Sequence, residues 1–409
     1  MRPLKILMTN AHSGAQTGSG MQLYLLAREL VKRGHTVTAA FKKKPGDHGP
    51  HRTLAKPRDA GVGLVRVPFA KLKYSFTIPA LLETGKYLRA EDFDLVHSFS
   101  GMDLNYMFIL SWFGPMTLVS NRGTGARLDI FNSIKYRSSH VARIVANSEA
   151  VKRVLGESGG VAPAKIEVIY SAADLTDFDP GLDGGPVRAE LGLPAGAPVV
   201  GVVGSLRFEP GHLKGGMELL AAAPAIIAAY PEVRFLIVGS VSQEIFRRVA
   251  DPAVAGHFIF AGFRDDIPRV MAACEMIVSP SIKLESLAGV LREALAMKRP
   301  VVATDLPGNN ELVIPDRTGL LVPPSDPEAL ARAVIALLQD PARSAAMAAA
   351  GRRLVEEQFS LTARVALVEK LYYQALETRG PGRLDRPRAP RPEYAVTRFK
   401  YLSFDFPGR

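Results

Sequence analysis

Cysteine is almost absent from this chain, which contains a single cysteine, Cys274, among 409 residues. An internal disulfide is therefore excluded, which is typical of proteins from a reducing cytoplasm. No apolar run approaches the ~20 residues that a membrane-spanning helix requires, and the opening MRPLKILMTN lacks the long apolar core of a signal peptide. We therefore expect a cytoplasmic protein, one that can still associate with the cytoplasmic face of the inner membrane.

The composition excludes a disordered chain, because 47% of the residues are hydrophobic and 22% are charged. Its length predicts two domains. Residues 1–180 hold 24 Lys and Arg against 15 Asp and Glu, residues 181–378 hold 19 against 22, and residues 379–409 hold 8 against 3. A basic surface attracts anionic partners such as phospholipid headgroups, lipopolysaccharide or nucleic acid, although solvated charges also serve solubility alone.

Short Val- and Ile-rich strands alternate with helices in two successive rounds. This alternation predicts an α/β fold of two doubly wound domains, each with a parallel sheet covered on both faces. We predict an N-terminal domain over residues 1–180, a C-terminal domain over 181–360 and a linker within the Gly-, Pro- and Asp-rich segment 177–198. A helix is expected at about 361–376, and a basic Pro/Arg-rich tail follows over 379–409. Residues 379–393 are predicted to lack regular structure and to form either a mobile basic tail or a surface strap.

A glycine-rich loop, with Gly14, Gly18 and Gly20, lies between the first predicted strand and helix. Glycines at this place let backbone N–H groups approach a phosphate at the helix N-terminus. The spacing is G-x3-G-x-G rather than G-x-G-x-x-G, and the next strand ends in AAFKKK without an acid to hold a ribose. The loop therefore disfavours a nicotinamide dinucleotide site and leaves two alternatives, a tight turn or a contact with phosphate or sugar.

Two cations, Arg207 and Lys214, lie in the loop GSLRFEPGHLKGG after the first strand of the second round. At the carboxyl end of a parallel strand, facing a helix N-terminus, they can neutralise a diphosphate leaving group. The alternative for such a pair is a solvated surface loop.

Two acids, Glu285 and Glu293, are spaced by seven residues in ESLAGVLRE, across a predicted strand-to-helix loop. Ligands of open α/β sheets bind at the carboxyl ends of strands, and one carboxylate can accept hydrogen bonds from two vicinal sugar hydroxyls. Gly289 would let the N–H groups of Val290 and Leu291 approach a phosphate. The alternative is an amphipathic helix with Glu293 on its wet face and Glu285 near its cap.

In this order, the motifs resemble those of the family 4 retaining nucleotide-sugar glycosyltransferases, over about residues 1–376. The core of the resemblance is PS-x3-E-x7-E-A-x-A, followed by PVVATD-x-PGNNE and TGLLVPPSD and preceded by GSL-R-x6-KG and AGFRDDIP. The resemblance implies the GT-B fold, in which two Rossmann-like domains face each other across a cleft and a C-terminal helix crosses back to the N-terminal domain. It also implies that no cofactor or metal is needed.

The resemblance further implies a role for individual residues. The N-terminal domain would bind the acceptor and the C-terminal domain the donor, with Arg207 and Lys214 on its diphosphate. Glu293 would hold the ribose and Glu285 the transferred sugar, while Phe263 and Arg264 would border the base. The implied catalytic residues are Glu285, Arg207, Lys214 and His97; the implied donor-binding residues are Gly18, Gly20, Phe263, Arg264, Gly289, Val290, Leu291 and Glu293.

The sequence departs from the family pattern on the acceptor side. Asn121-Arg122-Gly123 follows the strand MTLVS, where many relatives have a histidine, and Ser171-Ala172-Ala173-Asp174 replaces Asn-Gly-Val-Asp. We assign Asn121 and Arg122 to the acceptor side. His97 ends a strand that would face the cleft, and its alternative is a strand-end histidine bonded to backbone.

We therefore expect a metal-independent, retaining hexosyltransferase that moves a sugar from a UDP- or GDP-sugar to a hydroxyl. The basic N-terminal part, including residues 42–44 and Lys71 and Lys73, suits an anionic lipopolysaccharide, lipid-linked or other envelope glycan at the inner membrane.

Three other functions stay open from the sequence. A nucleotide-sugar epimerase of the same fold would need a similar phosphate clamp, and a glycoside hydrolase would use the carboxylate pair without needing cations. A non-catalytic binder of nucleotide-sugars or nucleic acid is the third. No motif interleaves aromatic and basic residues as RNA binders do, so nucleic acid is not expected as a partner.

Overall fold

The computed structural model describes residues 2–12, 14, 17–42, 55–67, 69, 77–204, 206, 214–252, 254–283, 285–378 and 400–401. The chain divides into two compact units. Met1–Tyr170 and the chain from Leu361 form the first unit, and Ser171–Ser360 forms the second. The division thus falls at 170/171, whereas 180/181 was predicted.

A parallel sheet of seven strands forms the centre of the first unit. Its spatial order is β3-β2-β1-β4-β5-β6-β7, and the two-residue strand β14 (Lys400–Tyr401) pairs with β3 at the edge. The strands are β1 (Lys5–Asn10), β2 (Thr36–Lys42), β3 (Gly63–Val67), β4 (Leu95–Ser98), β5 (Leu118–Arg122), β6 (Val141–Ala146) and β7 (Ile166–Val168). The order reverses between β1 and β4, which makes their carboxyl ends the expected place for a ligand.

Helices cover the first sheet where the chain crosses between its strands. They are α1 (Gly18–Lys32), α2 (Ala55–Asp59), α3 (Thr77–Glu91), α4 (Gly101–Leu110), α5 (Ile130–Arg137) and α6 (Glu149–Glu157). The side chain of Thr17 caps α1 by accepting a hydrogen bond from the backbone N–H of Gly20 at 3.1 Å. Gly34 ends this helix in the left-handed region at φ +88°.

The last long helix, α14 (Leu361–Glu377), packs against the first unit. Tyr373 donates its hydroxyl to the carbonyl oxygen of Arg2 at 2.7 Å. Glu369 pairs with Arg33 at 2.7 Å and with His35 at 2.8 Å. The predicted return of the C-terminal helix to the N-terminal domain is therefore confirmed.

A second parallel sheet, with the order β10-β9-β8-β11-β12-β13, forms the centre of the second unit. Its strands are β8 (Val199–Val203), β9 (Arg234–Val238), β10 (Phe258–Gly262), β11 (Met276–Ser279), β12 (Val301–Thr304) and β13 (Leu320–Val322). Its helices are α7 (Gly185–Glu190), α8 (Gly216–Ala229), α9 (Gln243–Arg248), α10 (Ile267–Ala272), α11 (Gly289–Ala296), α12 (Pro327–Gln339) and α13 (Pro341–Gln358). The order reverses between β8 and β11, so the loops after these strands lie side by side.

The segment 177–198, predicted as a linker, is packed onto the second unit. It contains α7, and the guanidinium of Arg188 donates to the carbonyl oxygens of Ala273 and Pro194, each at 3.0 Å. The first and last residues of the second unit lie next to each other, because the N–H of Ala173 donates to the carbonyl oxygen of Phe359 at 2.9 Å.

The fold class is confirmed: two Rossmann-like α/β units, each with a doubly wound parallel sheet. Within the described part of the chain, no helix is both long enough and apolar enough to cross a membrane.

Candidate active site

Lys214 is brought to the end of β11 by the glycine that follows it. Gly215 adopts φ +68°, and a Cβ at this position would lie 1.7 Å from the carbonyl oxygen of Pro280. Only glycine allows this approach, which explains the Lys-Gly pair in the sequence. The loop that leaves β8 is thereby held against the loop that leaves β11.

Lys214 and Glu285, two of the predicted catalytic residues, form an ion pair between the lysine Nζ and the carboxylate Oε1. The Glu285 side chain is 11% exposed and that of Lys214 is 46% exposed. The same Oε1 accepts a hydrogen bond from the hydroxyl of buried Ser281 at 2.8 Å. A cation and an oriented carboxylate therefore lie together where the sheet order reverses.

The PGNNE turn supports the backbone next to Glu285. Gly308 adopts φ +91°, and a Cβ there would lie 1.8 Å from the carbonyl oxygen of Ser286. Asn309, fully buried, donates its side-chain amide to the carbonyl oxygen of Thr304 at 3.1 Å. The motif thus positions the loop that carries the carboxylate.

Glu293 lies one turn into α11, on the same face as Gly289, the first residue of the helix. A Cβ on Gly289 would lie 3.7 Å from the Oε1 of Glu293. Burial raises the pKa of the Glu293 carboxyl, and the neighbouring Arg292 opposes this rise. No hydrogen bond joins this carboxylate to another residue in the described part of the chain, so its oxygens can accept ligand hydroxyls.

Phe263 and Arg264 follow β10 and differ in what they can contact. The ring of Phe263 is 72% exposed and can stack on a flat group. Arg264 is bound to two carboxylates, because its Nη1 contacts Glu190 and its Nη2 contacts Asp266, both at 2.7 Å. Its hydrogen bond lowers the pKa of the Asp266 carboxyl. Arg264 therefore holds the loop, and Phe263 presents its ring.

In the first unit, Gly18 and Gly20 lie at the N-terminus of α1, after β1. The amide of Asn10 donates to the hydroxyl of Ser19 at 3.0 Å, and an added Cβ on Gly18 would meet nothing within 4 Å. This helix end is therefore uncrowded on the described side. Ser13, Ala15 and Gln16 of the loop lie outside the described residues.

His97 is fully buried on β4 and hydrogen-bonded through both ring nitrogens. Its Nδ1 bonds the hydroxyl of Tyr372 at 2.7 Å and its Nε2 bonds the side-chain oxygen of Asn121 at 3.2 Å. Burial and the nearby charge of Arg364 lower the pKa of His97 to about 3, so the ring is neutral at pH 7. This network, which the sequence did not reveal, ties α14 to β4 and β5; a catalytic role for His97 stays a prediction.

Arg122 belongs to a buried basic pair that the sequence did not indicate. Its guanidinium lies 5.5 Å from the ring of Tyr136, and Lys135 lies 5.3 Å from the same ring. The Nζ of Lys135 donates to the side-chain oxygen of Asn105 at 2.5 Å. Burial, together with the charge of Arg122, lowers the pKa of Lys135 to about 8. Two cations, one at the carboxyl end of β5 and one on α5, therefore lie close together.

Part of the predicted site lies outside the described residues. Arg207 of the predicted diphosphate clamp is one such residue, and the others are Lys43, Lys44, Lys71, Lys73 and residues 379–399 and 402–409 of the tail.

Comparison with known proteins identifies the family of the chain. Residues 197–340 match the family model described as Glycosyl transferases group 1, and residues 17–177 match Glycosyltransferase Family 4. The chain is 32% identical over 429 residues to D-inositol 3-phosphate glycosyltransferase from Kineococcus radiotolerans, covering 92% of this chain and 95% of that relative. It is 29% identical over 336 residues to phosphatidyl-myo-inositol mannosyltransferase from Mycolicibacterium smegmatis, covering 78% and 81%.

A crystal structure of Anabaena HepE in complex with UDP has a similar fold, with a TM-score of 0.77 and 21% identity, covering 91% of this chain and all of that one. The chain therefore belongs to glycosyltransferase family 4, the glycosyl transferases of group 1. It is a transferase enzyme with the GT-B fold.

Proposed function

We propose that this enzyme transfers a sugar, with retention of anomeric configuration, from a nucleoside diphosphate sugar to a hydroxyl of a lipid-linked or other anionic envelope glycan. The observation that supports the donor assignment is the ion pair between Lys214 and Glu285 beside the N-terminus of α11. Glu293 on this helix has free carboxylate oxygens near Gly289. The UDP complex of HepE supports a nucleotide donor, and UDP and GDP are the two bases to test.

The Lys214–Glu285 ion pair suggests how the donor enters. A diphosphate competes with Glu285 for the ammonium, and the freed carboxylate then accepts hydrogen bonds from the hydroxyls of the transferred sugar. Lys214, with Arg207, stabilises the charge that develops on the leaving diphosphate. Glu293 accepts the ribose hydroxyls.

The chemical step needs no protein nucleophile. The acceptor oxygen forms a bond to the anomeric carbon on the face from which the diphosphate leaves, while the bond between that carbon and the phosphate oxygen breaks. The acceptor proton passes to an oxygen of the departing β-phosphate, so the products are a glycoside and a nucleoside diphosphate. The carboxylate of Glu285 orients the sugar and does not attack it.

An exposed apolar surface on the first unit supports a membrane-bound acceptor. Its side chains lie on α3, on α5 and on the turn that follows α4. These helices are neighbours, since α3 packs on α4 and Lys135 of α5 bonds Asn105 of α4. The exposed residues are Ile78, Leu82, Trp112, Phe113, Ile130, Phe131 and Ile134. Large apolar side chains exposed on neighbouring helices are typical of an interaction site.

The orientation of α5 favours an anionic bilayer as the occupant of this surface. Ser133 and Lys135 face inward, whereas Ile130 and Phe131 face outward with the exposed Arg127 before them. Apolar side chains flanked by basic ones bind at anionic membrane interfaces, and the N-terminal part of the chain has the positive charge excess. The names of the two relatives, which refer to an inositol phosphate and a phosphatidylinositol, fit an anionic acceptor.

Thermal-shift measurements with UDP, GDP and their sugars test the donor assignment first. The stabilising donor is then incubated with membrane glycolipid, and glycoside formation and anomeric configuration are measured. Stabilisation by none of these nucleotides would refute the donor site. Interconversion of the donor sugar without acceptor would instead identify an epimerase, and hydrolysis of an unactivated glycoside would identify a hydrolase.

A further inference from the structure

Arg292, on α11 between Leu291 and Glu293, is buried without adequate hydrogen bonding. The residue is 3% exposed, and its Nε and Nη1 atoms are buried with no hydrogen-bond partner in the described part of the chain. A buried guanidinium with unpaired N–H groups is costly, because these donors have left water without gaining acceptors, and the charge of the neighbouring Glu293 compensates only in part. We therefore expect an anionic ligand to bind the guanidinium of Arg292.

The guanidinium reaches back to the first residue of its own helix. A Cβ on Gly289 would lie 3.6 Å from the Nη2 of Arg292 and 3.7 Å from the Oε1 of Glu293. The two side chains therefore flank one gap, which exists because position 289 has no side chain. No hydrogen bond between the two is present among the described residues.

The helix end at this gap is itself uncapped. Ala288 is the N-cap residue of α11, its side chain offers no hydrogen bond, and the first turn holds no acid. The N–H groups of a helix N-terminus carry partial positive charge and favour an anion. A buried cation and the N–H groups of Gly289 and Val290 thus lie beside a carboxylate suited to a ribose, whereas the N–H of Leu291 donates to the carbonyl oxygen of Ala288 at 3.2 Å.

We propose that Arg292 binds the donor phosphate nearest the nucleoside, at the N-terminus of α11. This inference rests on the proposed function, and it adds a third cation to Lys214 and Arg207 on the diphosphate. The sequence offered no signal for it, because Arg292 lies among the seven unspecified residues of E-x7-E. Its position next to Glu293 makes the ribose and the adjoining phosphate the ligand groups within reach.

The test compares a nucleoside with its diphosphate on four proteins by calorimetric titration. Arg292→Leu keeps an apolar side chain at the buried position, Arg292→Lys keeps the charge, and Arg299→Leu removes an arginine beyond the other end of α11. We expect Arg292→Leu to weaken diphosphate binding about ten- to a hundredfold, the effect of losing charge-assisted hydrogen bonds. Nucleoside binding should change less than about threefold, since the nucleoside carries no phosphate.

Arg292→Lys should recover part of the diphosphate affinity, and Arg299→Leu should behave as wild type. Unchanged diphosphate affinity in Arg292→Leu would overturn the proposal, as would equal weakening of nucleoside and diphosphate. If Arg292→Leu does not fold, Arg292→Lys supplies the test. Full diphosphate affinity in this variant would count against the proposal, because a lysine cannot make the two parallel hydrogen bonds that an arginine makes to a phosphate. Failure of the wild-type protein to bind either ligand would refute the proposed donor site itself.

Discussion

Gly215→Ala should damage this enzyme more than any ordinary glycine substitution. The new Cβ would lie 1.7 Å from the carbonyl oxygen of Pro280 and 2.5 Å from its carbonyl carbon, in a backbone with φ +68°. Neither neighbour is a flexible side-chain tip, so the loop after β8 must move away from β11. Lys214 would move with it and lose its place beside Glu285.

The cost has two parts that can be separated. A left-handed conformation costs an L-residue about 1–2 kcal/mol relative to glycine. The overlap with backbone adds the larger part, and we expect a total of about 4 kcal/mol or more, in the range of severe core defects. At 2–4 °C per kcal/mol for a unit of this size, the melting temperature should fall by roughly 8–16 °C.

Gly192→Ala is the matched control in the same unit. Gly192 adopts φ +63°, and a Cβ there would meet nothing within 4 Å, so only the conformational cost of about 1–2 kcal/mol applies. Calorimetric melting and nucleoside diphosphate titration of both variants give the comparison. Equal melting temperatures, or full diphosphate affinity in Gly215→Ala, would refute the reasoning that this glycine positions Lys214.

The remaining predictions concern single side chains. Lys214→Ala should lower donor turnover about a hundredfold with only a small fall in melting temperature, since the Lys214 side chain is 46% exposed and solvent screens the ion pair. Glu293→Gln should lose the preference for a ribonucleotide over its 2′-deoxy analogue, measured as a ratio of dissociation constants. His97→Gln should lose less stability than wild type between pH 6.5 and 3 in urea titrations. Phe131→Ser should bind anionic vesicles more weakly in sedimentation assays, with an unchanged rate on a soluble acceptor.

The sign of the His97 effect follows from its buried, neutral ring. The folded-state pKa of His97 is about 3, below the ordinary 6.5. Between these two pH values the imidazole binds a proton in the unfolded chain but not in the folded one. Stability from this group is complete above pH 6.5 and declines as the pH falls, by up to about 1.4 kcal/mol per pH unit. Burial raises the pKa of Asp103 to about 6, so this group stabilises the folded state as the pH falls from about 6 to 4. Because this effect opposes that of His97, the wild type and His97→Gln must be compared.

Each of the other three predictions has its own contradicting result. Normal turnover by Lys214→Ala would remove the ammonium from the mechanism. Retained ribose discrimination by Glu293→Gln would place the ribose elsewhere. If Phe131→Ser binds vesicles as well as the wild type does, the outward face of α5 does not contact the membrane. Phe263→Ser, in the second unit, controls for the loss of an exposed ring.

The sequence predicted those parts of the fold that depend on local pattern. Val-rich strands between helices predicted two parallel sheets, and the spacing of Glu285 and Glu293 predicted that both flank one strand-to-helix loop. The structure agrees, because Glu285 lies in the loop between β11 and α11 and Glu293 lies on α11. The carboxyl ends of β8 and β11 meet where the sheet order reverses.

Pairings between distant residues could not be predicted in this way. Lys214 and Glu285 are 71 positions apart, and His97 and Tyr372 are 275 positions apart, so no periodicity links them. The composition of 177–198 suggested a linker, but Arg188 fastens this segment to the second unit. On α5 the structure buries Ser133 and Lys135 and exposes Phe131, an arrangement for which the sequence analysis offered no signal.

The hydrogen bond between Ala173 and Phe359 has a consequence for how the protein can be made and divided. The second unit is an insertion within the first, so the ribosome completes the second unit before it releases α14. Until then, the hydroxyl of Tyr372 is missing from His97 and the first unit is unfinished. A fragment ending at Tyr170 should therefore be unstable, whereas Ser171–Ser360, whose ends are joined by a backbone hydrogen bond, should be separable as a folded unit.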